Sequence, residues 1–395
     1  MNERSRGSLP ERPRQVLPPA AYTEADWFAR EQKQLFARAW TFAGALVDFA
    51  APGDYATARA GPAPLAVVRG EDGILRGFHN LCRHRGTELL EGAGNAGKTL
   101  VCPYHAWTYD LAGGLKAIAN RASCFPDLDP AGLGLHPAAV GTFGGLVFVH
   151  PDPAADFAAW CAPLKTVAWP HDPAALSESD AVTYEMNCNW KVFYENAIDG
   201  YHLRYLHKNT LGGPGPDANL WEAHGEHLLW YATDREDRRS SLPGAVATAL
   251  AGWSQGRIDA AAADDYAGVY MLFPATIVVA NPYGFSVSQL LPAAPGRTLL
   301  RTRAWGIGPG AQAADAAASP TARARDPVTG HVRLALLDIH ALQSGDFQLE
   351  DMWICESMQR ALHAPMYAVA GLARGAGGEA PLAFFQQCVR DYLDA

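Results

Sequence analysis

Two cysteine–histidine pairs, separated by 17 residues, are the residues of this sequence best suited to bind a metal. The first pair is Cys82 and His84, with one residue between them, and the second is Cys102 and His105, with two. Thiolates and imidazoles can bind one zinc ion, or a two-iron, two-sulfide cluster with cysteines on one iron and histidines on the other. A one-residue gap is unusual in zinc sites, so the spacing favours the cluster.

A second group of potential ligands lies between residues 187 and 210. His202 and His207 are five positions apart, which is about 140° around a regular helix. Both can face one metal only if the helix ends, loosens or bulges between residues 203 and 206. Asp199 precedes His202 by three positions, which would place both on one face of a helix.

The residues around both groups resemble those of Rieske non-haem iron oxygenases, the large (alpha) subunits of the ring-hydroxylating oxygenase family. The resemblance rests on Cys-Arg-His-Arg-Gly at 82–86 and on Cys-Pro-Tyr-His at 102–105, followed by Trp107 and Tyr109. It continues in the segment at 189–202, which contains Asn-Trp-Lys and Glu-Asn-x-x-Asp-x-Tyr-His. The resemblance implies a Rieske [2Fe-2S] cluster bound by Cys82, His84, Cys102 and His105.

The same resemblance implies a mononuclear non-haem Fe(II) bound by His202, His207 and a carboxylate. Such a 2-His-1-carboxylate arrangement leaves coordination positions open for oxygen. An acidic pair followed by Gln-Arg, in the segment at 347–360, is similar to the family's late helix. We expect Asp351 to be the third ligand, with Glu350 as the alternative and Glu356 in a supporting or surface contact.

Other roles carried over from the family concern electron transfer. The resemblance implies a head-to-tail homotrimer in which the cluster of one subunit lies beside the iron of the next. Asp199 would then bridge His105 of one subunit and His202 of its neighbour. We also expect Asn196 to lie near the iron and Tyr201 to line or orient the site.

The sequence patterns around these residues predict the helices and strands of an α+β protein. From residue 42 to 150, short apolar runs are separated by Gly, Pro and Asp, which is typical of an all-β module. We expect an N-terminal helical segment (1–41) packing on the catalytic domain, an all-β Rieske domain (42–155), and an α+β catalytic domain (156–395) with an antiparallel sheet and helices of helix-grip, START-like type. The first helix would begin near Thr23 and carry an apolar stripe of Phe28, Leu35, Phe36 and Trp40.

Composition excludes several other classes of protein. The 395 residues carry a net charge of −9 without runs of Lys or Arg, which argues against nucleic acid as a partner. Seven cysteines are too few and too scattered for a disulfide scaffold. The N-terminal 19 residues are polar, and no apolar stretch approaches the ~20 residues that cross a bilayer. We therefore expect a cytoplasmic protein with no membrane partner.

The family resemblance implies an oxygenase component that takes electrons from a separate NAD(P)H-dependent reductase, directly or through a ferredoxin, with or without a beta subunit. We expect O2-dependent mono- or dioxygenation of an aromatic ring compound, as in aromatic hydrocarbon catabolism. The alternatives are N-demethylation or monooxygenation of a quaternary ammonium or methylated amine, and a Rieske electron-transfer protein without oxygenase activity. Residues 212–216 could form a lid. Aromatic residues that could line a pocket or cage are Trp221, Trp230, Tyr231, Trp253, Tyr270, Tyr283, Phe285, Trp305 and Trp353.

Overall fold

The chain forms two compact units in a computed structural model. Residues 31–162 form the first unit, and residues 9–30 join those from 163 onward in the second. The unit boundaries therefore lie at 30/31 and 162/163, and the three-part division into 1–41, 42–155 and 156–395 stays a proposal. The structure describes residues 9–166, 176–211, 220–231, 240–241, 257, 266–307, 319–375 and 377–395.

Antiparallel sheets build the first unit. Seven strands pair in the order β1-β10-β9-β4-β3-β2-β5, and three more pair as β6-β7-β8. Every residue of β10 is buried and four of the five are apolar, so this strand is part of the core. The strands are β1 (Thr41–Ala45), β2 (Asp54–Ala60), β3 (Ala63–Arg69), β4 (Leu75–His79), β5 (Ala93–Asn95), β6 (Thr99–Val101), β7 (Thr108–Asp110), β8 (Leu115–Ala117), β9 (Pro137–Phe143) and β10 (Leu146–His150).

A larger antiparallel sheet forms the second unit, with the strand order β11-β18-β17-β16-β15-β13-β12 and with β14 paired to β15. Its first strand, β11, pairs with its last, β18, in a register that joins Met186 to Thr298. The strands are β11 (Ser177–Met186), β12 (Leu220–His224), β13 (His227–Tyr231), β14 (Ser240–Ser241), β15 (Tyr266–Leu272), β16 (Thr276–Asn281), β17 (Gly284–Ala294) and β18 (Arg297–Gly306).

The second unit has three longer helices, α5 (Trp190–Ile198), α8 (Phe347–Ala361) and α9 (Ala380–Leu393), and α5 contacts both of the others. Side-chain caps fix where two of them begin. The Asn189 side chain accepts a hydrogen bond from the Lys191 N–H at the start of α5. Asp346 accepts from two N–H groups at the start of α8. The short helices are α3 (Arg121–Cys124), α4 (Phe157–Cys161), α6 (Leu203–Leu206) and α7 (Pro320–Arg323).

The predicted continuous first helix is wrong. The segment instead forms α1 (Ala20–Thr23), α2 (Ala25–Arg30), a π-helical turn (Glu31–Leu35) and a 3-10 turn (Phe36–Arg38). Residues on either side of position 30 pack in different units, so the apolar residues do not need to share one helix face. Trp40 lies beyond the last turn.

The predicted α+β class is confirmed, since an all-β unit is joined to a unit of antiparallel sheet and helices. No helix in the described part of the chain is long and apolar enough to cross a membrane.

Candidate iron sites

The two cysteine–histidine loops repeat one backbone conformation. The first loop follows β4, and the second joins β6 to β7. In each loop the cysteine N–H donates to the carbonyl five residues later, and the N–H four residues later donates back to the cysteine carbonyl. These two distances are 2.8 and 2.9 Å at Cys82, and 2.8 and 3.0 Å at Cys102. The residue four positions after each cysteine has a left-handed backbone, with φ of +76° at Gly86 and +54° at Ala106.

The predicted cluster residues lie together in the first unit. Cys82 and Cys102 are free thiols and each is 3% exposed. The imidazole rings of His84 and His105 have centroids 4.7 Å apart. Both Nδ1 atoms are buried and make no hydrogen bond with the described residues. Buried nitrogens without partners are costly, and iron ligation would satisfy them, so these four residues fit a Rieske cluster.

Aromatic residues surround this group. The Trp107 ring stacks on His84 with centroids 5.1 Å apart and 8° between the planes. The Tyr109 hydroxyl lies 3.4 Å from the Cys82 Sγ and accepts a hydrogen bond from the Arg83 N–H at 3.0 Å. Tyr109 is fully buried, and burial raises the pKa of its hydroxyl above the usual value. The hydroxyl therefore stays protonated and can donate to the sulfur.

Three residues of the second unit converge on one point. The Nε2 atoms of His202 and His207 are 3.2 Å apart. Asp351 Oδ1 lies 3.0 Å from the His207 Nε2 and 3.6 Å from the His202 Nε2. These residues are the group among those described whose ligand atoms could hold one metal ion. Two imidazoles and one carboxylate fit the ligand set of non-haem iron.

The predicted break between residues 203 and 206 is wrong, because helix α5 ends before both histidines and the chain between them is helical. Helix α5 ends at Ile198, and Asp199 has an extended backbone with ψ of 102°. Asp199 and His202 are therefore not on a common helix face, and the break precedes His202 instead of following residue 203. The short helix α6 then lies between the two histidines. The Leu206 and His207 N–H groups donate to the His202 and Leu203 carbonyls, so the two imidazoles meet through their side chains and not through a break in the helix.

Carboxylates lie at the outer nitrogens of both histidines. Glu350 Oε2 is 2.7 Å from the His207 Nδ1, and it also accepts a hydrogen bond from the Thr210 hydroxyl at 2.7 Å. Asp199 Oδ2 lies 3.3 Å from the His202 Nδ1. Glu350, the alternative third ligand, is thus placed behind His207. Thr210 was not predicted as a site residue, and its hydroxyl three positions after His207 was the available signal.

Hydrogen bonds fix the charge of Asp351. The Asn196 side-chain amide donates to Asp351 Oδ1 at 2.8 Å. Burial alone would raise the pKa of Asp351, but hydrogen bonds from His202 and His207 outweigh it and hold that pKa below its usual value. Burial would likewise lower the pKa of His202, but Asp199 and Asp351 raise it to about 9. The group thus holds protons that a metal would displace on binding.

Two further candidate residues lie at the edge of the site. Tyr201 is 45% exposed, its ring contacts Tyr205, and its N–H donates to Asp199 Oδ1 at 2.7 Å. The described contacts of Tyr201 thus give it a backbone role on Asp199 and no ring contact with the histidines. Glu356 accepts hydrogen bonds from the Asn187 N–H and side-chain amide at 2.9 and 3.2 Å, away from the ligand atoms.

Several of the aromatic residues considered for the pocket pack in the core. Phe285 and Trp305 stack with centroids 4.9 Å apart, and both are buried. The guanidinium of Arg303 lies 4.7 Å from the centroid of Trp305. Trp353 contacts His340. The side chains of Trp230 and Tyr231, all of Trp253 and the candidate lid at 212–216 lie outside the described residues.

The two units and their ligand sets define a protein with a Rieske domain and a separate mononuclear iron domain. Residues 39–129 match the Rieske [2Fe-2S] domain, and residues 173–395 match the ring hydroxylating alpha subunit (catalytic domain). The chain belongs to this ring-hydroxylating alpha subunit family of Rieske oxygenases. Its cofactors are accordingly those predicted, a Rieske [2Fe-2S] cluster and mononuclear non-haem iron.

Relatives in this family include proteins that act on quaternary ammonium compounds. The glycine betaine monooxygenase oxygenase subunit of Chromohalobacter salexigens is 35% identical over 199 residues, covering 49% of this chain and 44% of that protein. The carnitine monooxygenase oxygenase subunit of Acinetobacter pittii is 30% identical over 235 residues, covering 57% and 61%. The matched segments thus span only about half the length of these relatives.

Solved structures share the fold. A quaternary ammonium Rieske monooxygenase, CntA, in complex with L-carnitine superposes with a TM-score of 0.69 at 23% identity, covering 95% of both chains. Naphthalene 1,2-dioxygenase from Rhodococcus sp. superposes with a TM-score of 0.67 at 18% identity, covering 95% of this chain and 94% of that one. Both similarities concern the fold alone.

Proposed function

We propose that this chain is the oxygenase component of a Rieske monooxygenase system. The observation that carries the proposal is the convergence of His202, His207 and Asp351 in a chain that also holds two cysteines and two histidines together. An iron–sulfur cluster without a mononuclear iron site would serve electron transfer only. When bound, the cluster would pass on electrons received from a reductase, and the mononuclear iron would activate O2 beside the substrate.

Each residue near the iron has a defined task. His202 and His207 direct their Nε2 atoms to one point, because carboxylates lie at their Nδ1 atoms. Asp351 offers an oxygen already fixed by the Asn196 amide. A ligand set of only three protein groups leaves adjacent coordination positions free, which is what an oxygen-activating site requires.

We propose Asp199 as the carboxylate through which electrons arrive, from His105 of a neighbouring subunit to His202. Its Oδ2 lies 3.3 Å from the His202 Nδ1, and Oδ1 is held by a backbone N–H. Asp199→Asn should retain both iron groups and lose most turnover. A variant protein with both groups and full turnover would remove Asp199 from the route.

For the substrate, we propose a quaternary ammonium compound, with insertion of one oxygen atom into a C–H bond. The carnitine and glycine betaine monooxygenase subunits among its relatives support this class. They support it better than the aromatic ring compound expected from the sequence, since naphthalene 1,2-dioxygenase resembles the chain only in fold. The electrons would come from a separate NAD(P)H-dependent reductase.

The test uses the purified chain with a generic reductase. Substrates would be carnitine, glycine betaine, choline and a set of aromatic acids, with 18O2 supplied and products identified by mass spectrometry. We expect oxidation of a quaternary ammonium substrate coupled to NADH use, with one oxygen atom of O2 reduced to water and the other in the product, where any aldehyde is reduced to the alcohol during the assay so that its label does not exchange. Labelled products from aromatic acids alone would overturn the substrate class.

Iron content separates the oxygenase from an electron-transfer protein. Two irons in the cluster and one mononuclear iron give three per chain, and His207→Ala should reduce the count by one. A count of two in the native chain, unchanged by His207→Ala, would instead indicate a Rieske electron-transfer protein.

A further inference from the structure

A buried polar network connects the N-terminal segment to the helices of the second unit. The Tyr22 hydroxyl donates to Glu195 Oε1 at 2.6 Å. The Gln386 amide nitrogen lies 3.0 Å from the same carboxylate oxygen and 3.1 Å from the Tyr22 hydroxyl. Gln386 in turn accepts from the Val16 N–H at 2.7 Å. Tyr22, Glu195 and Gln386 are all buried, so these bonds are shielded from competing water.

The backbone of Tyr22 makes a second connection, to helix α8. The Gln359 side-chain amide donates to the Tyr22 carbonyl at 3.1 Å. The oxygen of the same amide accepts from the Asn189 N–H at 2.8 Å, directly before α5. Tyr22 therefore holds α5 through its hydroxyl and α8 through its carbonyl.

The contacts between α5 and α8 continue from Tyr22 to the iron ligands. Gln359, Cys355 and Asp351 are four positions apart and so share one face of α8. Their partners follow one another along α5: the Asn189 N–H at 2.8 Å, the Val192 carbonyl at 3.9 Å and the Asn196 amide at 2.8 Å. A change in the spacing of the two helices at Gln359 would therefore reach the contact between Asn196 and Asp351.

Glu195 serves this network and not the ligands. It precedes Asn196 by one residue, which is about 100° around α5, so the two side chains leave the helix in different directions. One turn earlier, the Lys191 ammonium lies 5.1 Å from the Tyr22 ring centroid. An apolar cluster could fill the same space without the cost of burying a carboxylate, but it would not fix the helices by directional bonds.

We propose that Tyr22 and Glu195 are positioning residues that hold α5 against α8, and so keep the Asn196 amide on Asp351. The inference rests on the proposed function, in which Asp351 binds iron. The N-terminal segment is then part of the machinery that shapes the iron site, although it contributes no ligand.

The test compares Tyr22→Phe with Tyr194→Phe. Both changes remove one hydroxyl from a buried tyrosine, but the Tyr194 hydroxyl has no hydrogen-bond partner among the described residues. We expect Tyr22→Phe to bind mononuclear iron about 10-fold more weakly, at unchanged cluster absorbance, and to form less product per NADH consumed. Tyr194→Phe should match the native chain in all three measurements.

A second pair of variants distinguishes the loss of these hydrogen bonds from a general loss of folding. Glu195→Gln retains an oxygen that accepts from Tyr22 and should bind iron almost as the native chain does, whereas Glu195→Leu should not. Equal iron affinity in Tyr22→Phe and Tyr194→Phe would overturn the inference, as would iron loss accompanied by equal cluster loss. Asp351→Asn tests the proposed function separately, because iron retained by that variant would contradict the ligand assignment whatever Tyr22→Phe does.

Discussion

At the scale of residues, the two iron-site histidines differ in how firmly they are held. His207 is 1% exposed, and Glu350 on its Nδ1 is itself bound by Thr210. His202 is more open, and Asp199 on its Nδ1 is fixed by a backbone N–H. A rigid partner suits a ligand that only binds metal, whereas a more exposed carboxylate suits the proposed route of electrons from outside the subunit.

The contact between Glu350 and the His207 Nδ1 predicts the effect of Glu350→Gln. The amide keeps the shape of the side chain but removes the charge that orients and polarises the His207 ring. We expect iron affinity to fall about 10- to 100-fold, measured by titration of iron-depleted protein. Glu178→Gln, which removes a surface ion pair with Arg303, is the control and should leave iron affinity unchanged. Equal affinities in the two variants would contradict the role of Glu350.

Glu195 predicts a pH dependence of stability. Burial raises its pKa to about 7, although hydrogen bonds from Tyr22 and Gln386 and the charge of Lys191 lower it, while Glu379 raises it. The folded chain therefore binds a proton that the unfolded chain releases above about pH 4.5.

Folding stability should accordingly fall as the pH rises from about 4.5 to about 7, by about 3 kcal/mol at most from this carboxyl. In Glu195→Gln that contribution is absent, so the unfolding temperature of the native chain should decline relative to that of the variant over this range. A difference between the two that is constant with pH would contradict the raised pKa.

At the scale of elements, the repeated loop conformation at Cys82 and Cys102 shows what a cluster loop requires. The residue four positions after the cysteine has a left-handed backbone. Ala106 adopts this conformation although it is unfavourable for an L-residue by about 1 kcal/mol. The first loop avoids the cost with Gly86. Both loops therefore hold their ligands by the same backbone bonds, whichever residue fills the turn.

This comparison predicts the outcome of Gly86→Ala. A Cβ at this position meets no atom within 4 Å, so only the left-handed backbone opposes the change. We expect a loss of about 1 kcal/mol in the free energy of unfolding, with the cluster retained. Gly371→Ala, which also meets no atom and lacks a left-handed backbone, should be neutral or slightly stabilising. Cluster loss in Gly86→Ala would show that the turn demands glycine.

Local signals made the fold class predictable, and distant contacts explain what the sequence did not predict. The spacing of Cys82, His84, Cys102 and His105 is a property of two short loops, so it is visible in the sequence. The contact of Thr210 with Glu350 joins residues 140 positions apart, and that of Asn196 with Asp351 joins residues 155 apart. The path of residues 20–40 is likewise decided by the unit each part joins.

At the scale of the whole molecule, the proposed transfer of electrons between subunits predicts complementation. Cys102→Ser should lack the cluster, His207→Ala should lack the mononuclear iron, and each alone should be inactive. In hetero-oligomers formed by co-expression, a His207→Ala subunit, which has the cluster, can lie beside a Cys102→Ser subunit, which has the mononuclear iron. We expect about a quarter of native turnover from random mixing in a closed ring. Isolated hetero-oligomers without turnover would contradict transfer between subunits.

The positions of the ligands along the chain set the order in which the two iron sites can form. The carbonyl of Cys188, just after β11, accepts a hydrogen bond from Thr298, which is 110 residues later. Asp351 follows His207 by 144 positions, so at ~5–20 residues per second a ribosome needs about 7 to 30 s more to supply it. Cys82 and His105 are both available much earlier, because their loops are neighbours in the chain. During synthesis, the cluster site can therefore assemble first. The mononuclear site cannot form until β18 and helix α8, which carries Asp351, have been synthesised.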